Sequence, residues 1–126
     1  MTTSEQMAEI AQAVFALAPA QTGQAVEAAL RSGVQPVEII DHGIVRGMEQ
    51  VGEKYQRQEM FLPELLMAEQ CIRSGLAAIA AFADPENKAL VEAAQQRLAE
   101  RAASWVPALS SCVTRLLHSS DSFLVG

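Results

Sequence analysis

Residues able to do chemistry gather at only a few places in this chain. Glu38, Asp41 and His42 sit close together on one helical stretch, so an acid–base or metal site is the first reading to test. A di-iron helical bundle needs Glu-x-x-His on two helices plus two further inward carboxylates. Here the residue three before His42 is Ile39, and the other histidine, His118, lies in a Ser-rich tail. The three residues therefore read as one polar helix face. Glu49 and Glu53, four apart, read in the same way as solvated charges. Cys71 falls inside an apolar helical stretch, where a thiol is an inert small core residue. No Gly-x-Ser-x-Gly elbow, phosphate-binding Gly loop or zinc spacing occurs. Catalysis by the chain alone is not expected.

The elements that would position these residues are helical. The chain has 126 residues, half of them apolar and 19% charged, enough for one small domain with a core. Ala is abundant, aromatics are few, and β-branched residues never alternate, which favours helix throughout. The net charge of −6 argues against a nucleic-acid partner, and no Lys/Arg-rich amphipathic face suits an anionic membrane. The opening MTTSEQMAEIAQ lacks the basic start and apolar core of a signal peptide. The longest apolar run, Leu76 to Ala83, is far below the ~20 residues of a membrane-spanning helix. Cys71 and Cys112 do not make a disulfide framework. No membrane association and a reducing cytoplasm are expected.

Thr3 and Gln6 are expected to form a capping box, opening a helix whose inner face is Met7, Ile10, Val14 and Leu17. Pro19 is expected to end it. A second helix is placed from Thr22 to Arg31, with Val26, Ala29 and Leu30 inward and Ser32-Gly33 as its stop. Pro36 then suits a helix start. Val37, Ile40, Ile44, Met48, Val51 and Tyr55 follow at spacings of three and four. Gly43, Gly47 and Gly52 each weaken this third helix by roughly 1 kcal/mol relative to Ala, so either close helix–helix approach compensates or a backbone or ligand packs against the Gly face. A polar link, Gln56 to Met60, makes the flanking helices antiparallel neighbours. Pro63 fixes the fourth helix, with Leu62 pushed towards an extended conformation. Leu65, Ala68, Ile72, Gly75, Ile79 and Phe82 form its stripe, widened by Leu62, Leu66 and Leu76. Asp84-Pro85-Glu86 has the order of a helix start, and Leu90, Val91, Ala94, Leu98 and Ala102 make a fifth helix ending near Trp105. A last short helix over Leu109 to Leu117 is the weakest pattern. The fold class is all-α, an antiparallel bundle of four to five helices.

Met60-Phe61-Leu62-Pro63 places large apolar side chains directly after a polar turn. They either staple the helix start to the core or project from the end of the bundle over something apolar.

The third and fourth helices carry a resemblance. Gly33-x-x-Pro36-x-Glu38-Ile39-Ile40-Asp41, then Gly47-Met48-x-x-Val51-Gly52-x-x-Tyr55, then Glu59-Met60-Phe61-Leu62-Pro63-Glu64-Leu65-x-x-Ala68 resemble the helical cap of corrinoid methyltransferase proteins. The pattern is similar to the cap of methionine synthase and to the N-terminal bundle of corrinoid proteins serving methanol, methylamine and aromatic methyl-ether methyltransferases. It covers roughly Thr22 to Ala83. The resemblance implies that the bundle covers the upper, methyl-bearing face of cobalamin and moves aside when methyl donor or acceptor approaches. It makes Phe61 and Leu65 the main lid residues, with Leu62, Ala68 and Cys71 beside them. It implies no catalytic and no metal-ligating residue.

Those proteins continue into an α/β domain whose Asp-x-His-x-x-Gly loop supplies the lower cobalt ligand. Asp41-His42-Gly43 echoes that loop falsely, being in the third helix with the wrong spacing. Residues 1–83 are therefore read as a cap-like bundle and residues 84–126 as an added helix and tail without the α/β domain. The expected function is a cobalamin cap that docks a corrinoid or methyltransferase protein. The alternative is a helical interaction module whose Met60–Leu66 edge forms a homodimer or takes a partner helix. A B12-dependent sensor would need a DNA-binding segment, which the sequence lacks.

Overall fold

Helix α1, Thr3–Phe15, starts where Thr2 can cap it: the Thr2 hydroxyl accepts the Glu5 N–H at 3.1 Å. This corrects the expected Thr3–Gln6 box. Gln6 is instead buried, and its amide donates to the Ser32 hydroxyl at 2.9 Å, tying α1 to the end of α2, Pro19–Arg31. The computed structural model describes residues 2–82 and 88–105, with 107, 110, 111, 113 and 114. The expected start at Asp84-Pro85-Glu86 lies outside them. Of the last short helix, residues 110, 111, 113 and 114 are helical and the remainder lies outside the described residues.

Pro19 does not end α1; it is the first residue of α2, where its missing N–H costs nothing. What ends α1 is a paired hydrogen-bond motif. Ala18 N–H reaches Ala13 O and Leu17 N–H reaches Val14 O, both at 3.0 Å, with Leu17 at φ 59°. The same pair closes α2 through Gly33 at φ 95°, where Val34 N–H meets Ala29 O at 3.1 Å. Only the second of these carries glycine, the residue for which that φ is free of steric cost. Thr22, placed at the start of α2 by sequence, is buried in its first turns and donates to Ala18 O at 2.9 Å.

The third helix is a single rod in three parts: α3, Pro36–Ile39, a π turn, Ile40–Ile44, and α4, Val45–Gln56. Ile39, Ile40, Ile44 and Val45 all keep right-handed helical angles, so the rod does not break. The wider turn carries one extra residue. Its consequence is that Ile39 and Val45 join Ile40, Ile44, Met48 and Val51 in the core, while Val37 and Tyr55 stay half-buried. Gly43 and Gly47 face α1 closely, as a Cβ on Gly43 would lie 2.9 Å from Ile10 Cγ2.

Helix α5, Leu62–Phe82, packs chiefly on α2 and barely on α4, the helix that precedes it. The short link thus does not make α4 the main neighbour of α5, and the Gly43–Gly47 side of the third rod packs on α1. Leu65, Ala68, Cys71, Ile72, Gly75, Leu76 and Ile79 are buried. Leu62, Leu66 and Phe82, expected in that stripe, are exposed instead, and Leu62 is helical and not extended. By length and composition α5 is the one described helix long and apolar enough to cross a membrane. Here its inner face is the spine of the bundle.

Helix α6, Lys88–Ala102, lies on α3 and the π turn. Val91, Ala94, Leu98 and Ala102 enter the same core as the preceding helical segments, while Leu90 stays outside. The described residues contain no strand, so the architecture is an all-α bundle.

Candidate functional site

The turn between α4 and α5 positions the apolar side chains singled out by sequence. Helix α4 closes with Glu59 N–H on Lys54 O at 2.9 Å and Gln58 N–H on Tyr55 O at 3.0 Å, with Gln58 at φ 63°. A Lys54–Glu59 ion pair at 3.3 Å braces the same turn. Met60 then folds back, half-buried against the core. Phe61 and Leu62 do not: they are 59% and 60% exposed. The segment therefore divides, Met60 packing on the core and Phe61 and Leu62 projecting from it.

Leu65, Ala68 and Cys71 have no exposed surface, so the structure separates them from Phe61 and Leu62. They lie on the buried face of α5, Leu65 in the first turn and Ala68 and Cys71 further along it. Two apolar residues join the exposed side, Leu66 at 46% and Met67 at 42%. Leu62 and Leu66 are four apart and share one helix strip. Sequence reasoning placed Leu66 inward and passed over Met67. The available signal was that α5 is apolar around most of its circumference, more than one helix can bury in a bundle this small.

The acidic and cysteine candidates have other roles. Asp41, 16% exposed at its side chain, accepts from Arg97 at 3.4 Å and Arg101 at 3.5 Å, and Arg101 also reaches Glu49 at 3.5 Å. Asp41 and Glu49 are therefore anchors for α6 and not freely solvated charges. Glu53 pairs with Arg57 at 3.1 Å, and Glu38 and His42 are exposed. Cys71 is a free, buried thiol pushed above its ordinary pKa by burial, with a hydrogen bond to Thr22 acting weakly the other way. Among the described residues no group of three or more His, Cys, Asp or Glu could hold a metal ion.

Among the described residues, clefts open away from this turn. One of about 470 Å³ lies between α1 and α2, with Glu9, Gln12, Gln21 and Gln24 on its walls. One of about 290 Å³ lies by Leu30, Ala78 and Phe82. A third of about 180 Å³ lies between α4 and Trp105. None of them is lined by Phe61, Leu62, Leu66 or Met67.

A family model described as a B12 binding domain matches residues 6–80, more than half of the chain. The chain belongs to that family. Among its relatives, a trimethylamine corrinoid protein of Methanosarcina barkeri is 47% identical over 51 residues, 40% of this chain and 24% of the relative. A dimethylamine corrinoid protein of the same organism is 33% identical over 79 residues, 63% of this chain and 37% of the relative. A further dimethylamine corrinoid protein, from Methanosarcina acetivorans, is 40% identical over 68 residues, 54% of this chain and 32% of the relative. The chain thus spans between 24% and 37% of the length of these curated relatives. No solved structure gives a significant match.

The B12 binding domain family associates this helical bundle with cobalamin, a corrinoid cofactor. On the outer side of α5 and the turn before it, Phe61, Leu62, Leu66 and Met67 leave apolar surface exposed. The matched segment stops before α6, so the Asp41–Arg97 and Asp41–Arg101 contacts join the family's bundle to a helix outside the match.

Proposed function

We propose that this B12 binding domain covers the upper face of cobalamin with the α4–α5 turn and the exposed side of α5, and that it docks a methyltransferase. The observation that carries the reading is the apolar surface of Phe61, Leu62, Leu66 and Met67, left exposed in a chain of this family. Phe61 and Leu62 make the contact. Leu65, Ala68 and Cys71 act from behind, as the floor that fixes the strip's height and direction. Bound cobalamin supplies the cobalt that carries the methyl group. The protein's part is to exclude water there and to swing away as one body when the methyl group moves. Since α5, α2, α1 and the π-bulged rod share one core, such a movement is rigid within the bundle.

The relatives are named for trimethylamine and dimethylamine, which makes methylated amines the proposed origin of the methyl group and a methylamine methyltransferase the proposed partner. A reducing cytoplasm is the proposed setting, in keeping with the buried free thiol of Cys71.

The test is a visible-absorbance titration of methylcobalamin and hydroxocobalamin with the purified chain, with mass measured alongside. A saturable change that weakens in Phe61→Ala is expected. A flat titration by a folded chain whose mass rises with concentration would assign the strip to a homodimer instead.

A further inference from the structure

Phe61 occupies an unusual position. Its carbonyl accepts from Glu64 N–H at 3.1 Å and Leu65 N–H at 3.2 Å, which makes it the residue that opens α5. Such positions favour Ser, Thr, Asp or Asn, because a short polar side chain can turn back onto the free N–H groups of the first turn. A phenyl ring cannot do this. Its side chain is therefore released from the helix start and stands outward, and the helix forgoes a cap. A choice that is poor for the local structure and leaves a large ring in solvent is where function is expected to override folding.

The backbone is nevertheless held on both sides. Phe61 N–H donates to Glu64 Oε1 at 2.7 Å, a short, charge-assisted bond from a half-buried carboxylate. Pro63 lies between them and fixes its own φ, so the path from Phe61 to Glu64 has little freedom. Resting on the reading that this end of the bundle meets cobalamin, we propose that Glu64 is a positioning residue for Phe61: its carboxylate clasps the Phe61 N–H and holds the ring in its cofactor-facing orientation. An exposed ring held in advance loses less freedom on contact, which is how preorganisation raises affinity.

The experiment compares the unaltered chain, Phe61→Ala, Glu64→Ala, Glu64→Gln and the Phe61→Ala/Glu64→Ala pair. Hydroxocobalamin titration is read on each, together with amide exchange at residue 61. Glu64→Ala is expected to speed exchange of the Phe61 N–H with or without cobalamin, and to weaken binding by roughly three- to tenfold. Glu64→Gln keeps a carbonyl acceptor at the same reach and is expected to restore most of both. In the Phe61→Ala background, removal of the carboxylate should change affinity no further. If Phe61→Ala alone leaves binding unchanged, the cobalamin reading itself fails. If Phe61→Ala weakens binding but Glu64→Ala does not, the positioning role is overturned. It is also overturned if Glu64→Ala weakens binding equally in both backgrounds, or if Glu64→Gln fails to rescue.

Discussion

A Cβ added to Gly47 would lie 2.7 Å from Val14 Cβ and 2.8 Å from the Ala11 carbonyl oxygen. One of these neighbours is backbone, so the clash cannot be relieved by turning a side chain. Gly47→Ala gains up to about 1 kcal/mol of helix propensity but forces α1 away from α4, which costs roughly 1–3 kcal/mol. Net destabilisation is expected in urea unfolding. Gly75→Ala is the control: its Cβ would meet the far end of Ile44, Cδ1, at 2.9 Å, a group that can move. Its effect should be smaller. If Gly47→Ala is as stable as the parent, helix–helix contact at this point is looser than described.

Gln58 closes α4 at φ 63°, a conformation that costs a non-glycine residue roughly 1–2 kcal/mol. Gln58→Gly relieves that strain while adding freedom to the unfolded chain, so a gain of up to about 1 kcal/mol is expected. Thermal unfolding decides the sign. A loss would mean that the Gln58 side chain holds the turn in some further way.

The helix ends at Leu17, Gly33 and Gln58 also show what the sequence could and could not disclose. Gly33 announced the end of α2 because glycine at a left-handed stop is a local signal. Leu17 and Gln58 make the same closing bonds without it, so the end of α1 was assigned to Pro19, which in fact begins the next helix. The π turn was hidden because spacings of three and four run through Ile40, Ile44 and Met48 whether or not an extra residue is inserted; only the burial of both Ile39 and Val45 reveals it. At the site, the Phe-Leu-Pro segment was legible as a type of residue in a place where it should not be. Which of Phe61, Leu62, Leu65, Ala68 and Cys71 face outward was not, because α5 turns its inner face to α2, a partner remote in sequence and not implied by the short α4–α5 link. Asp41 likewise meets arginines about sixty positions away.

Asp41 joins α6 to the bundle through Arg97 and Arg101, and both arginines are well exposed. Exposed ion pairs contribute about 0–1 kcal/mol each, so Asp41→Asn is expected to leave global unfolding nearly unchanged. It should instead loosen α6 locally, speeding amide exchange in Lys88–Ala102 severalfold while α2 and α5 keep their protection. High salt should reproduce part of the effect in the parent chain. Equal loss of protection in α2 would show that α6 does not open separately.

The Cys71 thiol is raised in pKa by its burial, so the folded chain keeps its proton where the unfolded chain gives it up. The contribution to stability is complete below the unfolded thiol value, near about 8.5. It falls as pH rises from there towards the folded value, because the unfolded state is then the one favoured by ionisation. Cys71→Ala should flatten this part of the stability profile above the unfolded thiol value, although its cavity lowers the whole curve. A parent and variant with parallel profiles would remove Cys71 as the cause. At neutral pH the Cys71 thiol itself should react with thiol reagents only as fast as the bundle opens.

Phe61→Ser separates folding from function at one position. With Glu64 already three residues on, a Ser hydroxyl at the start of α5 can share the Glu64 N–H, which already reaches the carbonyl of residue 61 at 3.1 Å, while the Glu64 carboxylate keeps the backbone N–H of residue 61, the reciprocal pair of a capping box. A gain of roughly 0.5–1 kcal/mol is expected from the cap, with little lost from a ring that is 59% exposed. The same protein should bind hydroxocobalamin more weakly than the parent, since the apolar cover has been removed. Thermal melts and titrations on one preparation test both halves. Lower stability would show that the ring packs against the bundle and helps to hold it, and unchanged affinity would move the corrinoid contact away from this turn.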